Sequence, residues 1–515
     1  MAVIQAGQTL SIAPGLTVVI FPPSNVYING LATDGLGSVG VASWGPVNMP
    51  VIGLGNPAQV QAMYGPITNR PRDISTAADV YSKNFVQSMT FVRVTDATDV
   101  AAQLSLMDTA GTPVLGLKLT AKYTGIVGNT FTGAITTGTA VATYKLTLTR
   151  SGFVPEVWDN IPGTGAAFWA NALSAVNNGI PGSAGPSQNF VATIGTSSAA
   201  PNITTTYAAT GGTDGATGVT DTMMVGTDGL TRTGMYALRK TGVQVGNLID
   251  CVTSTTWLAQ AQFGLAEGIY FKGADTHGTS LTTAGTDLAT AGVDAYSFSL
   301  APGDFCWYAD TVNGVNRSLS PATYLAAIQA ATSPEQSILN KPIYGLIGTD
   351  RSNANNLYAQ SEKELAVQNR LDYIANPSPG GNYFSSQTAL NTSSNSGTNG
   401  DNYTRMTNYI AFTINAALGY VIGQLQTTAQ RRNTRNTLNA FFNNMWKSTP
   451  QMIGDVNNPT TQPWSVILDA SNNTSASVAL GNEIAAVNVT YLSVVRRFIV
   501  NFQGGQGVVA SVQPA

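Results

Sequence analysis

Hydrophobic and polar side chains alternate close to the C-terminus of the chain. Between residues 487 and 491 every second residue is apolar, and the alternation returns at Phe498, Val500 and Phe502 after two arginines. This period of two predicts a strand with one buried face. A single terminal strand is not stable alone, so it needs the edge of another sheet.

Both ends of the chain combine short β-prone runs with glycine or proline. The C-terminal glycines and the valines that follow them are Gly504, Gly505, Gly507, Val508 and Val509. The apolar positions near the N-terminus and the residues that end that run are Val3, Ile4, Leu10, Ile12, Pro14 and Gly15. Such ends either fray in solution or add as strands to the sheets of neighbouring copies.

The pattern changes several times along the 515 residues, which predicts more than one domain. The predicted segments are an N-terminal arm at 1–20, an α/β segment at 21–96, a β-rich insertion at 97–206, an α/β insertion at 207–352, a helical segment with a terminal strand at 353–502, and a C-terminal arm at 503–515. Helix–strand alternation in 207–352 favours a layered α/β domain.

Individual elements follow from hydrophobic periodicity and from glycine and proline boundaries. Helices are predicted at residues 57–64, 76–86, 166–176, 230–240, 255–266, 321–331, 361–375 and 404–446. Strands are predicted at residues 16–21, 38–43, 90–94, 114–120, 142–149, 190–193, 243–252, 269–272, 296–300, 342–347 and 465–469. In the longest helix, apolar residues from Ile410 to Leu425 recur at steps of three and four, which predicts one buried face. Gly419 and Gly423 allow a kink or a close packing contact there.

The composition is globular but weakly charged. Hydrophobic residues make up 43% of the chain and charged residues 10%, against roughly 25% charged residues in typical soluble domains. Copies with such a surface repel each other little and can pack densely. The net charge of −3 gives no reason to expect nucleic acid or an anionic membrane as a partner. The N-terminal residues lack a signal-peptide pattern, so we expect folding in a cytoplasm.

Catalytic and ligand-binding motifs are nearly absent from the sequence. Gly35 to Gly40 matches the letters of a dinucleotide motif, but no helix can open before Pro46. His277 is the only histidine, which excludes a multi-histidine metal site and favours a solvated surface residue. Cys251 and Cys306 are predicted as buried free thiols. We therefore expect no cofactor and no enzyme, with a nucleotide-dependent oxidoreductase as a remote alternative.

Three arginines lie close together in the long helical stretch. Arg431 and Arg435 are one turn apart on one helix face, and Arg432 is adjacent to them. Two interpretations stay open: a solvated helix face, or a face that binds an acidic protein partner.

Several blocks of the sequence resemble the contractile phage tail sheath proteins. The blocks are Gly37–Val51 with its Gly-Pro-x-Asn-x-Pro turn, Ser82–Val94 ending in Val-Arg-Val, Ala121–Asn129 with Gly-x-x-Gly-Asn, Glu156–Ile161 followed by Val176–Gly179, and Gly211–Gly215. The order of a long arginine-bearing helix, a Trp-containing strand and a final strand is also similar to that family. Two departures are Gln87 and Ser88 in place of paired glycines, and the loop at 376–400 in place of an aspartate-containing block.

The resemblance implies a structural subunit rather than an enzyme. It implies hexameric rings stacked around a tail tube, contraction on a signal from the baseplate, and partners that include the tube, baseplate and tail terminator proteins. It also implies an inner α/β domain built from both ends of the chain, outer domains inserted into it, and terminal arms exchanged between subunits. Assembly in the host cytoplasm and a place in the virion tail follow from it. The sheath of a non-viral contractile injection or secretion system is an open alternative.

Overall fold

The structure of the protein is a computed structural model that describes residues 2–5, 17–20, 28, 30–455 and 458–499. Its strands are β1 Ala2–Gln5, β2 Thr17–Ile20, β3 Gly35–Gly40, β4 Pro50–Leu54, β5 Ser88–Arg93, β6 Ala101–Met107, β7 Leu115–Thr124, β8 Phe131–Thr137, β9 Thr143–Arg150, β10 Glu156–Pro162, β11 Phe190–Ile194, β12 Thr206–Ala208, β13 Val245–Leu248, β14 Tyr270–Ala274, β15 Phe298–Ala301, β16 Cys306–Asp310, β17 Val315–Leu319, β18 Gly348–Thr349, β19 Ile374–Ala375, β20 Ser385–Ser386, β21 Trp464–Ile467 and β22 Ala486–Val489. Its helices are α1 Pro57–Tyr64, α2 Ile74–Lys83, α3 Ala166–Asn178, α4 Asp221–Val225, α5 Trp257–Glu267, α6 Leu281–Thr290, α7 Pro321–Ala331, α8 Asp350–Asn353, α9 Gln360–Gln368, α10 Asp401–Ala417, α11 Thr428–Lys447 and α12 Ser475–Ala479.

The chain divides into two compact units. Unit 1 contains the described residues of Met1–Gly30 and Thr413–Ala515, and unit 2 is Leu31–Phe412. The chain therefore passes between the units twice, once before Leu31 and once after Phe412 within helix α10. Together the units make a mixed α/β, multidomain protein with several separate sheets.

A six-stranded sheet forms the centre of unit 2. Its strand order is β15-β14-β13-β3-β5-β4, and all pairs are parallel except β4 with β5. Helices α2 and α7 cover one face, where Tyr81 and Thr323 both accept hydrogen bonds from the Asn247 amide. Helix α5 covers the other face, where Phe263 meets Phe271 of β14. Every residue of β13, β14 and β15 is buried because both faces of the sheet are covered.

This sheet joins segments that the sequence assigns to different domains. Strands β3, β4 and β5 come from residues 21–96, and β13, β14 and β15 come from residues 207–352. They share one hydrophobic core, to which Leu371, Tyr373, Ile374 and Ala389 also belong. The two segments are therefore packed together without a solvent gap between them.

Residues 101–209 form a second hydrophobic core made mainly of strands. One sheet has the order β10-β9-β8-β12, the other β11-β7-β6, and helix α3 packs on β10 and β11. In β6 the buried Leu104 and Leu106 alternate with exposed Gln103 and Ser105, the period of a strand with one buried face. Helix α3 adds the fully buried Trp169 to this core.

Unit 1 is built around helix α11 and a hairpin. The buried residues of α11 lie at steps of three and four and are Thr434, Leu438, Phe441, Phe442 and Met445. Strands β21 and β22 pair antiparallel, from Trp464 opposite Val489 to Ile467 opposite Ala486. Strands β1 and β2 pair in parallel with each other, with Val3 opposite Val18 and Ile4 opposite Val19.

The predicted single helix at 404–446 is wrong. Helix α10 ends at Ala417, a short turn follows at Gly419–Val421, and α11 begins at Thr428. Gly423 lies in the connection between the two helices and has a φ of +90°, a conformation that glycine adopts without strain. Ile422 and Leu425 lie in the same connection and are 86% and 83% exposed instead of continuing a buried face.

Two further predicted elements differ from the structure. The helix predicted at 230–240 is only a short 3-10 turn, Gly234–Leu238, because the backbone has positive φ angles at its first residue, Gly234, and again at Lys240 and Gly242 after it. The strand predicted at 342–347 is a loop that precedes the two-residue strand β18. Helix α6 and the hairpin β16–β17 were not predicted, since threonine and glycine conceal their periodicity.

Candidate functional site

Four of the sequence blocks that carry the family resemblance meet at one junction in unit 2. Arg93, the last residue of β5, is fully buried at its centre. Its Nη1 donates to the carbonyls of Gly45 (2.8 Å) and Thr124 (2.7 Å), and its Nη2 to the carbonyl of Asp214 (2.9 Å). Burial lowers the pKa of this guanidinium to about 10. One cation thus holds the backbone of three distant segments.

Asn129 joins two of these blocks by a reciprocal pair of hydrogen bonds. Its Oδ1 accepts from the Gly212 N–H (2.7 Å), and its Nδ2 donates to the Gly212 carbonyl (2.9 Å). The neighbouring Gly125 has a φ of +137°, and a Cβ there would lie 2.1 Å from the Ser43 carbonyl oxygen. The glycines of these motifs are therefore required by close backbone contact, with no ligand involved.

Trp44 anchors the β-rich insertion to the six-stranded sheet. Although it follows β3, its ring belongs to the core of residues 101–209, with ring centroids 5.6 Å from Tyr123 and 5.8 Å from Phe131. Arg70 adds an ion pair to Asp214, with Nη1 and Oδ2 2.6 Å apart. The two cores are thus fixed to each other by an aromatic side chain, two arginines and an amide.

The carboxyl edge of the sheet is where open α/β folds bind ligands, at the point where strand order reverses. Here that point lies between β3 and β13. Its arginines are already paired: Arg72 Nη2 lies 2.5 Å from Asp221 Oδ1, and Arg317 Nε lies 3.0 Å from Asp310 Oδ2. Asp250 accepts from two backbone N–H groups. The protein's own side chains fill the crevice.

The glycines of the dinucleotide-like pattern lie inside a strand. Gly35 to Gly40 are strand β3 itself, in register with β5 and β13, and a Cβ on Gly37 would lie 2.8 Å from a Val243 side-chain carbon. These glycines admit close packing and do not form a turn that opens a helix. The geometry for a nicotinamide dinucleotide is therefore missing at this motif.

His277 is exposed but paired. Its Nε2 lies 2.7 Å from Asp350 Oδ2, and its side chain is 55% exposed. Asp350 also accepts from the Trp307 indole (2.8 Å) and the Phe305 N–H (3.1 Å), so the carboxylate fixes the imidazole. Within the described part of the chain, no group of three or more His, Cys, Asp or Glu side chains is arranged to hold a metal ion. Cys251 and Cys306 are buried free thiols, as predicted.

Asp275 follows β14 at the same edge and is 3% exposed. Burial, with a smaller contribution from the nearby Asp287 carboxylate, raises its pKa to about 6. An aspartate in an unfolded chain titrates near ~3.9. The folded state therefore holds this proton more tightly, so the stability it contributes is present below pH ~4 and is lost as pH rises through about 6.

We expect Asp275→Asn to raise the free energy of unfolding at pH 7 by roughly 1–3 kcal/mol relative to wild type, and to have little effect at pH 4. Urea unfolding at both pH values measures the change. Asp159→Asn is the control, because Thr139 and backbone hydrogen bonds hold the pKa of Asp159 below its usual value and the variant should change the pH slope in the opposite direction. An unchanged slope in Asp275→Asn would contradict the assignment.

Arg431, Arg432 and Arg435 lie in the first turns of α11. Thr427 caps this helix through the Gln430 N–H (3.1 Å), and the helix contains no acidic residue. Arg431 and Arg435 are partly buried beside the apolar face, whereas Arg432 is exposed. Positive charge near a helix N-terminus opposes the helix dipole. Asp469 of the same unit already interacts with Arg435, which, after the hydrogen bonds from Ser471, contributes to the lowered pKa of that carboxyl. Among the described residues no ion pair is found at Arg431 or Arg432, so these two are the arginines left for an acidic group from elsewhere.

The hairpin of unit 1 carries an aromatic cluster on one side and exposed apolar residues around it. The Trp464 ring meets those of Phe442 and Trp446, and its indole donates to Asn439 (3.0 Å). The exposed apolar residues and their exposed fractions are Ile422 86%, Leu425 83%, Leu480 78%, Val495 75%, Phe498 87% and Ile499 76%. Ile422 and Leu425 lie in the connection between α10 and α11, and Val495, Phe498 and Ile499 lie in the segment after β22, so the exposed apolar residues come from separate stretches of unit 1.

The structure describes only part of the predicted arms. Val3 and Ile4 lie in β1, and Phe498 is exposed in the segment after β22. The predicted arm and hinge residues outside the described residues are Leu10, Ile12, Pro14, Gly15, Val500, Phe502, Gly504, Gly505, Gly507, Val508 and Val509. The sequence did not identify Arg93, Trp44 or Asn129 as residues that join distant segments, although each lies in one of the blocks that resemble the sheath family.

No family model matches the chain, and none of the curated proteins matches it. Solved structures do. A sheath tail protein from Listeria innocua has 14% identity and a TM-score of 0.61, with 90% of this chain and 96% of that chain covered. The sheath complex of an extracellular contractile injection system, PVC, in its contracted state has 10% identity and a TM-score of 0.55, with 97% and 99% covered.

A third likeness is to a chain of the anti-feeding prophage baseplate, six-fold symmetrised, with 9% identity, a TM-score of 0.51, and 96% and 100% covered. The chain has the fold of a contractile tail sheath protein. The likeness extends over nearly all of it, so both units belong to this sheath fold. The resemblance found in the sequence is confirmed at the level of the fold. Among the described residues of this sheath fold, no helix is long and apolar enough to cross a membrane.

Proposed function

We propose that this protein is a structural subunit of a contractile tail sheath, which polymerises as stacked hexameric rings around a tail tube and shortens to drive the tube through a host envelope. The observation that carries the proposal is the sheath fold over 90% or more of the chain, including likeness to a sheath in its contracted state. The structure from a non-viral injection system favours, as a second candidate, the sheath of such a machine.

Paired and unpaired sheet edges support the exchange of terminal strands. In unit 2 two of the described edges are protected: the Asn177 amide exchanges two hydrogen bonds with the backbone of Ala192 on β11, and β4 is blunted by Pro50 and a shift of register. In unit 1, by contrast, β21 and β22 pair only with each other among the described strands. A two-stranded sheet is marginal alone, so this hairpin is the proposed acceptor for strands from neighbouring copies.

In the proposed assembly the arms are residues 1–20 and 503–515, joined by hinges at Pro14–Gly15 and Gly504–Gly507. Unit 1, which contains both ends of the chain, is the proposed tube-facing inner domain, and the β-rich insertion at 97–206 is proposed to lie outside. Tube, baseplate and terminator proteins are the proposed partners, and the virion tail, assembled in the host cytoplasm, is the proposed location. No catalytic, cofactor or nucleic-acid role is part of this function.

The charge of the two units differs in sign. Unit 1 has six Lys and Arg against three Asp and Glu, a net charge of +3, which leaves 18 against 24 and a net charge of −6 for unit 2. Half of the basic residues of unit 1 are Arg431, Arg432 and Arg435. We therefore propose that the start of α11 contacts an acidic surface of the tail tube, which would supply the charge that the helix N-terminus lacks.

Arg432→Glu is expected to reduce co-assembly with the tube protein by about tenfold while leaving self-assembly of the sheath intact. Lys447→Glu is the matched control, since it makes the same charge change at the exposed other end of α11. Co-expression with the tube protein, followed by negative-stain microscopy and quantification of tube in pelleted rods, measures the effect. Equal losses in both variants would reject the tube contact, and a purified wild-type protein that forms no polymers at any concentration would reject the sheath function itself.

A further inference from the structure

The start of helix α10 turns a polar face toward the interior of unit 2. Asp401, Thr404, Arg405 and Asn408 follow the spacing of one helix face, and their exposed fractions lie between 0% and 7%. Helix faces buried in a protein are normally apolar, and buried polar groups cost free energy unless each is hydrogen-bonded. The polarity of this face therefore requires a specific set of partners.

The partners lie at the amino edge of the six-stranded sheet. Thr404 Oγ1 donates to the carbonyl of Tyr296 (2.7 Å), just before β15, and Asn408 Nδ2 donates to the carbonyl of Gly268 (2.8 Å), just before β14. The Asp401 carboxylate accepts from Ser337 Oγ (2.7 Å) and the Ile338 N–H (2.8 Å). Helix α10 thus bonds the chain where parallel strands begin, at the edge opposite to the usual ligand crevice.

Arg405 extends this set to the first strand of the sheet. Its side chain is 2% exposed, and its Nη2 donates to the carbonyls of Thr33 (2.6 Å) and Thr332 (3.4 Å). The preceding carbonyl, that of Ala32, accepts from the Gln244 amide (2.6 Å), which lies just before β13. Residues 31–34 are thereby fixed at the same edge as α10.

These two segments are the two places where the chain enters and leaves unit 2. Leu31 is its first residue and Phe412 its last. They are separated by almost 400 residues in sequence, yet a single guanidinium on α10 bonds the segment that leads into β3. A cation that bonds main-chain carbonyls of another segment gives charge-assisted hydrogen bonds, which are stronger than neutral ones.

We infer that Arg405 is a lock that couples the two connections of unit 2, so that residues 31–34 and helix α10 dock and undock at the amino edge of the sheet together. A mechanical load on either connection is then distributed over the strands that begin at the amino edge of the sheet. This lock belongs to unit 2 itself and does not depend on the sheath function. In a contracting sheath it would make the connections move as one.

Nitroxide labels on Ala32→Cys and Ala411→Cys test the coupling in the full-length protein, because both positions are exposed and the native cysteines are buried. Arg405→Met is expected to shorten the rotational correlation time of both labels roughly twofold in room-temperature spectra. With Arg405 in place, Gln244→Leu and Asn408→Ala each remove one bond from one segment and should mobilise both labels. In the Arg405→Met background each of these changes should add mobility only to the label on its own segment.

The lock is overturned if Arg405→Met mobilises the label at 411 and leaves the label at 32 unchanged, or if neither label responds. Should Arg405→Met fail to fold, Arg405→Lys keeps the charge but lacks the forked geometry that reaches two carbonyls. It is then expected to mobilise both labels to a smaller and equal extent. A response confined to one label in that variant contradicts the inference equally.

Discussion

A chain that ends at Gln503 is expected to fold and to stay monomeric under conditions in which the full chain polymerises. The residues removed lie beyond the buried apolar core of the described structure, whose last member is Leu468, so both units keep their cores. What the truncation removes is the proposed C-terminal arm with Val508 and Val509. Each backbone hydrogen bond between an exchanged strand and the neighbouring subunit contributes roughly 1 kcal/mol net. The truncation removes these bonds at every subunit of the polymer.

Sedimentation velocity and negative-stain microscopy measure the loss of polymers, and circular dichroism checks that the fold is kept. The matched variant is Val509→Pro in the full-length chain, which keeps the length of the arm but removes one donor from a ladder. It should weaken polymerisation strongly, whereas Val509→Thr, which keeps the donor and the β-branched shape, should retain most of it. Normal polymers from the truncated chain would disprove the exchange of C-terminal strands.

Local elements with clear boundary residues could be predicted from the sequence. Helix α1 runs from Pro57 to Tyr64 and helix α7 from Pro321 to Ala331, both with the predicted bounds. The Asn56 side chain caps helix α1 by accepting from the Gln59 N–H, and proline occupies the first position of both α1 and α7. Such signals act within a few residues, so they do not depend on the rest of the fold.

Elements decided by distant contacts could not be predicted. The apolar residues from Ile410 to Leu425 fit one helical face, but helix α10 ends at Ala417 and Leu425 is exposed. Helix α10 buries Ile410 as predicted, but it also buries a polar set that includes Thr404, Arg405 and Asn408, and hydrophobic periodicity cannot identify those contacts. In the same way, Gly35 to Gly40 match a nucleotide motif by letter and form a strand in the structure.

The contacts of Arg93 could not be predicted either. The sequence blocks around Gly45, Arg93, Asn129 and Asp214 could be recognised, but the hydrogen bonds that join these blocks could not. Arg93 contacts the carbonyl of a residue 121 positions later, and no local pattern marks a buried arginine whose partners are main-chain oxygens. The only available signal was an arginine between two valines at the end of a buried strand, where a charge needs a specific partner.

Arg93→Met is expected to lower the free energy of unfolding of unit 2 by about 3–5 kcal/mol. Methionine fills a similar volume but donates no hydrogen bond, so the carbonyls of Gly45, Thr124 and Asp214 lose their donor in a buried site. Each buried acceptor left without a partner costs about 1–3 kcal/mol. Urea unfolding followed by tryptophan fluorescence measures the change, because Trp44 lies beside the same junction.

The sites of proteolytic cleavage distinguish a loosened insertion from a general loss of stability. The core of residues 101–209 has its own buried residues, so we expect limited proteolysis of Arg93→Met to cut first at the two connections near residues 95–100 and 210–216, before either core is digested. Lys145→Met is the control, since Lys145 also lies in strand β9 of the insertion and takes no part in the junction. A loss below about 1 kcal/mol in Arg93→Met, or first cuts within the six-stranded sheet, would show that Arg93 does not hold the insertion in place.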